Sequence, residues 1–105
     1  MPASYRPEIV KKLAANPDTF EMFKAALDDA LGCGLDADDV RDVFQRIDKW
    51  NFIKSEPTRK YYPETMSDYY IYDVEECSAR MFIKFLISRD ILVVTSFKED
   101  TSRDV

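Results

Sequence analysis

The spacing of apolar residues changes halfway along this chain, and that change constrains the fold more than any other feature. Through the first half, apolar positions recur every three or four residues, as on one side of a helix. In RPEIVKKLAAN, Ile9, Val10 and Leu13 form a short stripe. Asn16 followed by Pro17 makes a cap and first-turn pair. Phe20, Phe23, Leu27 and Leu31 then share one face of an expected second helix. Gly32 and Gly34 supply the permissive backbone that ends it. Asp36 caps an expected third helix, whose Val40, Val43, Phe44 and Ile47 repeat the spacing.

The second half switches to runs rich in aromatic and β-branched residues. WNFIKS reads as a first strand, followed by a loop over 56–67 that contains Pro57 and Pro63. DYYIYDV (68–74), ARMFIKFLI (79–87) and DILVVTSF (90–97) read as three more strands. Met81, Ile83, Phe85 and Ile87 alternate with Phe82, Lys84 and Leu86, which predicts a strand with one face in the core. Only Ser88 and Arg89 separate the last two strands, so an antiparallel hairpin is expected there. The ILVV run lacks polar alternation and suits a strand buried on both faces. The tail from about residue 99, EDTSRDV, is expected to fray. Helices first and strands afterwards give an α+β domain: three N-terminal helices, then a twisted antiparallel sheet. At 105 residues, 46% of them hydrophobic, residues 1–105 can bury one core and form one domain.

Two absences limit the chemistry. The sequence contains no histidine and only two cysteines, Cys33 and Cys77. That removes the commonest general base near neutral pH and leaves too few ligands for a structural zinc. No metal site and no cofactor is therefore expected; Glu75 and Glu76 beside Cys77 have no ligand spacing either. The N-terminal MPASYRPEIVKK lacks the apolar middle of a signal peptide, and no apolar run reaches the roughly 18 residues of a membrane span. The expected compartment is the cytoplasm, where two cysteines read as reduced thiols.

Charge divides unevenly. The net charge is −5 and the pI near 4.7, which argues against a broad basic face that grips nucleic acid. Asp28, Asp29, Asp36, Asp38, Asp39, Asp42 and Asp48 crowd the helical half, however, so a small basic cleft can exist elsewhere. NFIKSEPTRKYY (51–62) is the place to look, because Lys54, Arg59 and Lys60 stand there among Phe52, Tyr61 and Tyr62. Phosphate contacts with base stacking are the usual way to hold single-stranded RNA. A solvated polar loop accounts for the same residues.

The order of several short segments resembles the MqsR family of bacterial toxins: KKLAAN, CGLDADDV, NFIKS, YIYDV and DILVVTSFKED. The likeness spans roughly residues 9 to 100, and the last strand is its strongest element. It implies a RelE-like fold, with RNA bound on the side of the sheet away from the helices. It also implies a metal-independent mRNA endonuclease whose partners are an RNA substrate and a cognate antitoxin protein. By motif position, Lys54 with Ser55 matches the family's aromatic-x-Lys-Ser segment, Lys98 matches Ser-Phe-Lys-Glu, and Asp73 and Val74 match its Asp-Val pair. Two positions depart from the pattern: Tyr72 stands where the family has glutamine, and Phe82 where it has tyrosine.

The resemblance makes Lys54 and Lys98 the charges that stabilise a phosphorane-like transition state. Tyr72, by its place in the family motif, is the candidate base on our own reading, and Ser55, Arg59, Lys60 and Tyr61 are candidate RNA contacts. Two other functions fit the sequence: a catalytically silent protein-binding module of the same fold, and an acidic mimic of nucleic acid.

Overall fold

The computed structural model describes residues 3–58, 62 and 64–100. Helix α1 is Pro7–Ala15, and its proline sits in the first turn, where a missing N–H costs nothing. Helix α3, Ala37–Arg46, begins in a reciprocal capping box: the Asp39 N–H donates to Asp36 (2.8 Å) and the Asp36 N–H to Asp39 (3.0 Å). Arg41 of α3 in turn donates to the last carbonyls of α1, Ala14 (2.9 Å) and Ala15 (2.7 Å). Those carbonyls have no partner inside α1, so the two helices are tied where each needs it.

The expected second helix starts later than its apolar spacing suggests. Asn16 caps only a single tight turn, Pro17–Thr19, by accepting from the Asp18 N–H at 2.9 Å. Phe20–Met22 is then extended as strand β1, and helix α2 runs Lys24–Gly32. Phe20 and Phe23 therefore precede α2. The reason is tertiary. β1 pairs in parallel with Leu92, Val93 and Val94, and the Phe23 N–H donates to the Val94 carbonyl at 2.9 Å. Pairing along a strand buried on both faces outweighs a short helix's propensity.

Strands β2 (Phe52–Pro57), β3 (Met66–Val74), β4 (Ala79–Ser88) and β5 (Ile91–Glu99) complete the sheet, in the order β1-β5-β4-β3-β2. β2 to β5 form an antiparallel meander, so the parallel β1 makes the sheet mixed where an antiparallel one is expected. Strand therefore interrupts the helices. β5 lies inside the sheet, and Leu92, Val93 and Val94 are buried, as the ILVV run predicts. The hairpin turn is Arg89–Asp90, one residue later than expected, and both residues have φ near +60° (53° and 61°). That pair of left-handed conformations is the type I′ turn, which matches the twist of its strands. β5 continues through Glu99, and the Asp100 N–H donates to the Arg80 carbonyl, so the segment expected to fray begins inside the sheet. Residues 101–105 lie outside the described ones.

The helices cover one face of the sheet. Phe44 joins them to it, with ring centroids 5.9 Å from Phe20 and 5.3 Å from Phe85, both edge-on. Tyr70 stacks on Phe85 at 5.6 Å, and Phe52 meets Tyr70 at 5.5 Å. Aromatic contacts thus run from β1 through α3 to the far edge of the sheet. A bulge keeps β5 in phase: Lys84 opposes Ser96 but Phe85 opposes Val94, leaving Thr95 as an extra residue. Without it, Leu92 and Val94 could not share the core face with Phe97.

Candidate functional site

Residues directly opposite each other in a sheet share a face. On β3, Tyr70 and Val74 are buried beneath the helices, so Tyr69, Ile71 and Asp73 point the other way. Register then puts Lys54, Tyr69, Lys84 and Ser96 in one row across four strands, with Ile71, Phe82 and Lys98 in the next. None of these seven side chains is buried. The Lys54 and Lys84 ammonium groups stand 4.8 and 5.3 Å from the Tyr69 ring centroid. Lys98 stands 6.0 Å from that of Phe82, and the Tyr69 and Phe82 rings are 5.6 Å apart. Three cations thus gather around two touching rings.

Both ends of this patch are bounded. Toward the Arg89–Asp90 turn, the same side of the sheet is covered, and Thr58, Ser67, Leu86 and Val93 are buried. The β2–β3 connection folds back there: the Thr58 N–H donates to the Thr65 carbonyl (2.9 Å), and the Thr58 and Ser67 hydroxyls are 2.6 Å apart. At the other end, Arg80 pairs with Asp73 at 2.8 Å. Among the described residues, Glu56 pairs with a lysine of the patch, 3.4 Å from Lys54, and both side chains are partly exposed. An exposed pair of this kind is worth little and exchanges readily.

The chain's acidity lies elsewhere. Asp28, Asp29, Asp36, Asp38 and Asp42 are exposed on and around α2 and α3, where Asp28 pairs with Lys24, Asp38 with Arg41 and Asp42 with Arg46. A net charge of −5 and a basic sheet face therefore coexist on opposite sides of the molecule.

Of the residues singled out from sequence, Lys54 and Lys98 share the lysine patch, in adjacent rows. Tyr72 does not join them. It opposes the fully buried Met81 and packs on the core from the helix side. There the Arg46 guanidinium lies 5.9 Å from its ring while holding both Glu76 oxygens (3.0 and 2.6 Å). Glu76 keeps the Arg46 pKa raised, and Arg46 lowers that of Glu76. Ser55 faces the helix side too: it is buried, opposite Asp68, with its hydroxyl 2.5 Å from that of Ser4. Arg59, Lys60 and Tyr61 lie outside the described residues. Sequence reasoning missed Lys84 and Tyr69. The signal for Lys84 is its place between Ile83 and Phe85 in an alternating strand; only cross-strand register adds Tyr69.

Chemically, ammonium groups at this spacing can hold a phosphodiester and offset charge that develops on it, while the aromatic rings offer faces to bases. Among the described residues, no three Cys, Asp or Glu side chains cluster as a metal site. No helix among them is long and apolar enough to cross a membrane. A family model described as motility quorum-sensing regulator, toxin of MqsA, matches residues 3–99. No curated protein matches the chain.

Proposed function

The chain belongs to the MqsR toxin family, which makes it the toxin of a toxin–antitoxin pair, and we propose that it acts by cleaving mRNA across the lysine patch. The observation that carries this reading is the gathering of Lys54, Lys84 and Lys98 around Tyr69 and Phe82 on the side of the sheet away from the helices. In this reading, bases stack on the exposed aromatic edges and the scissile phosphate sits among the ammonium groups. The lysines stabilise the dianionic transition state formed when the ribose 2′-oxygen attacks phosphorus. Tyr69, between Lys54 and Lys84, is the acid–base group within reach of that phosphate, since the chain has no histidine. Tyr72, on the helix side, has no part in the proton transfer. The charge is supplied by side chains, so the reaction proceeds without a metal ion. The antitoxin acts by denying RNA this surface.

The test is incubation of purified protein with defined single-stranded RNA, with and without EDTA, alongside expression in growing cells. We expect cleavage that EDTA leaves unchanged, and growth arrest. The second reading, a silent protein-binding module, draws on Phe82 standing where the resembling family has a tyrosine. Intact RNA together with unimpaired growth would establish it instead.

A further inference from the structure

Among the described residues, the most exposed large hydrophobic side chain is that of Trp50, at 81%. Tryptophan is usually well buried, and this one is the only tryptophan of the chain. Its backbone is held firmly. In the turn Lys49–Asn51 the Trp50 N–H donates to the Asp48 carboxylate (2.8 Å), and the Asp48 N–H donates to the Asn51 side chain (3.0 Å). The Lys49 ammonium stands 5.0 Å from the centroid of the indole. An aromatic ring with a cation against it is thus presented to solvent just before β2, on a turn that is already ordered.

The shape of the lysine patch limits how a bound chain can leave it. Lys54, Tyr69 and Lys84 succeed one another across the strands, not along them. Along the strands both ends are closed, by the Thr58–Ser67 cover and by the Arg80–Asp73 pair. A single strand of RNA therefore leaves over β5 or over β2. Beyond β5, α2 packs against the sheet and exposes Asp29, and Glu99 is exposed beside Lys98. Carboxylates there repel phosphates. On the other side, β2 is the last strand of the sheet. Trp50 precedes Lys54 by four residues, a reach of at most about 14 Å. Lys49 adds exposed positive charge at this edge. The carboxylates nearby are engaged, Asp48 by the turn and Glu56 by Lys54.

We propose that Trp50 is a stacking subsite for an unpaired nucleobase of single-stranded RNA, flanking the nucleotides held on the lysine patch. The subsite rests on the patch being the RNA-binding surface, and it gives that surface a direction. The RNA crosses β4, β3 and β2 in turn and leaves past the indole. One base lies on the ring, and Lys49 meets the phosphate next to it. Every base has a π-face, so Trp50 adds affinity without adding sequence preference.

Because Trp50 is the only tryptophan, intrinsic indole emission reports on this position alone. The probe is single-stranded 2′-O-methyl RNA of about 12 nucleotides, which has no free 2′-hydroxyl and stays intact. Binding is followed by anisotropy of an end-labelled probe and, with unlabelled probe, by Trp50 emission. We expect quenching with the same midpoint as the anisotropy change. Trp50→Ala should weaken binding by about 5- to 100-fold, and Trp50→Phe should recover part of the loss. The dependence of affinity on salt should keep its slope in Trp50→Ala, since no phosphate contact is lost, and become shallower in Lys54→Ala. RNA binding with unchanged emission would overturn the subsite and leave the exposed ring to a protein partner. Wild-type affinity in Trp50→Ala would overturn it too. Both outcomes leave the patch itself standing, whereas a wild type that binds no RNA would overturn the patch and the subsite together.

Discussion

Lys54 and Lys84 direct their ammonium groups at one ring, that of Tyr69, from the two strands that flank it. Like charges at this separation repel, and the Tyr69 π-face offsets only part of that cost. An anion placed between them removes it. The row therefore holds two ammonium groups on one ring, with Glu56 paired to Lys54.

Lys84 is the sharpest test of the patch, because sequence motifs do not mark it. Lys84→Ala should lower single-turnover RNA cleavage by about 10- to 100-fold, comparably with Lys54→Ala and Lys98→Ala, through lost transition-state charge stabilisation. Removing a surface lysine that is at most half-buried should leave stability within about 0.5 kcal/mol, so melting curves should overlay that of the wild type. Wild-type rates in all three variants would remove the patch from the mechanism.

Tyr69 and Tyr72 separate the two faces. Tyr69→Phe keeps the ring beneath the lysines and deletes only the hydroxyl, so the cleavage rate should fall by about 10²- to 10⁴-fold if that hydroxyl moves a proton. Tyr72→Phe should leave the rate within a few-fold. The reverse pattern would put the acid–base group on the helix side, as the family motif alone suggests.

Asp68 is fully buried, and its carboxylate accepts from the Ser4 N–H (3.1 Å to each oxygen) and the Tyr5 N–H (3.1 Å). The bonds hold the segment before α1 against β3, where the Tyr5 hydroxyl also donates to the Met66 carbonyl at 2.5 Å. Asp68→Ala should cost roughly 2–4 kcal/mol, as bonds to a charged acceptor are lost. Hydrogen exchange at Ser4 and Tyr5 should accelerate more than elsewhere. Unchanged exchange at those two amides would show that other contacts hold the segment.

Alkaline pH should loosen the core through Tyr70. Burial, with the Asp68 charge second, pushes its phenol up to about 12, against about 10 when unfolded. The folded state therefore retains a proton that the unfolded chain releases. Stability from this residue is full below about pH 10 and is lost as pH rises to about 12, by roughly 2–3 kcal/mol. Tyr5 is pushed up as well, chiefly by burial, and adds in the same direction. Denaturant midpoints of wild type and Tyr70→Phe should differ by a constant below pH 10, and the wild type should lose stability relative to Tyr70→Phe above it.

Much of the architecture was legible because local signals agreed with the fold. Asp36 starts α3, and Val40, Val43 and Phe44 are its buried face; ILVV marks an interior strand. The failure at Phe20 has a physical cause. Its spacing with Phe23 and Leu27 fits a helix, but a partner 72 residues later offers the backbone a sheet edge, and no local pattern contains that information. The site shows the same division. Lys54 and Lys98 can be found from their motifs, whereas Tyr72 and Ser55 sit on the opposite face because successive residues of a strand alternate sides, and register irregularities in β2 and β5 set which side Lys54 and Lys98 meet. One such irregularity falls between Phe52 and Lys54, where a single residue decides which face the lysine meets.

β5 is the last strand in chain order, yet it lies between β1 and β4. During synthesis, α1 to α3 and the first four strands leave the ribosome before the strand that must separate them has been made. Until then β1 has no partner and β4 has one open edge, and the Lys98 charge is absent from the patch. The sheet can close only after residues 91–99 clear the exit tunnel. The nascent chain therefore holds an incomplete sheet and lacks one of the three patch lysines until that late step.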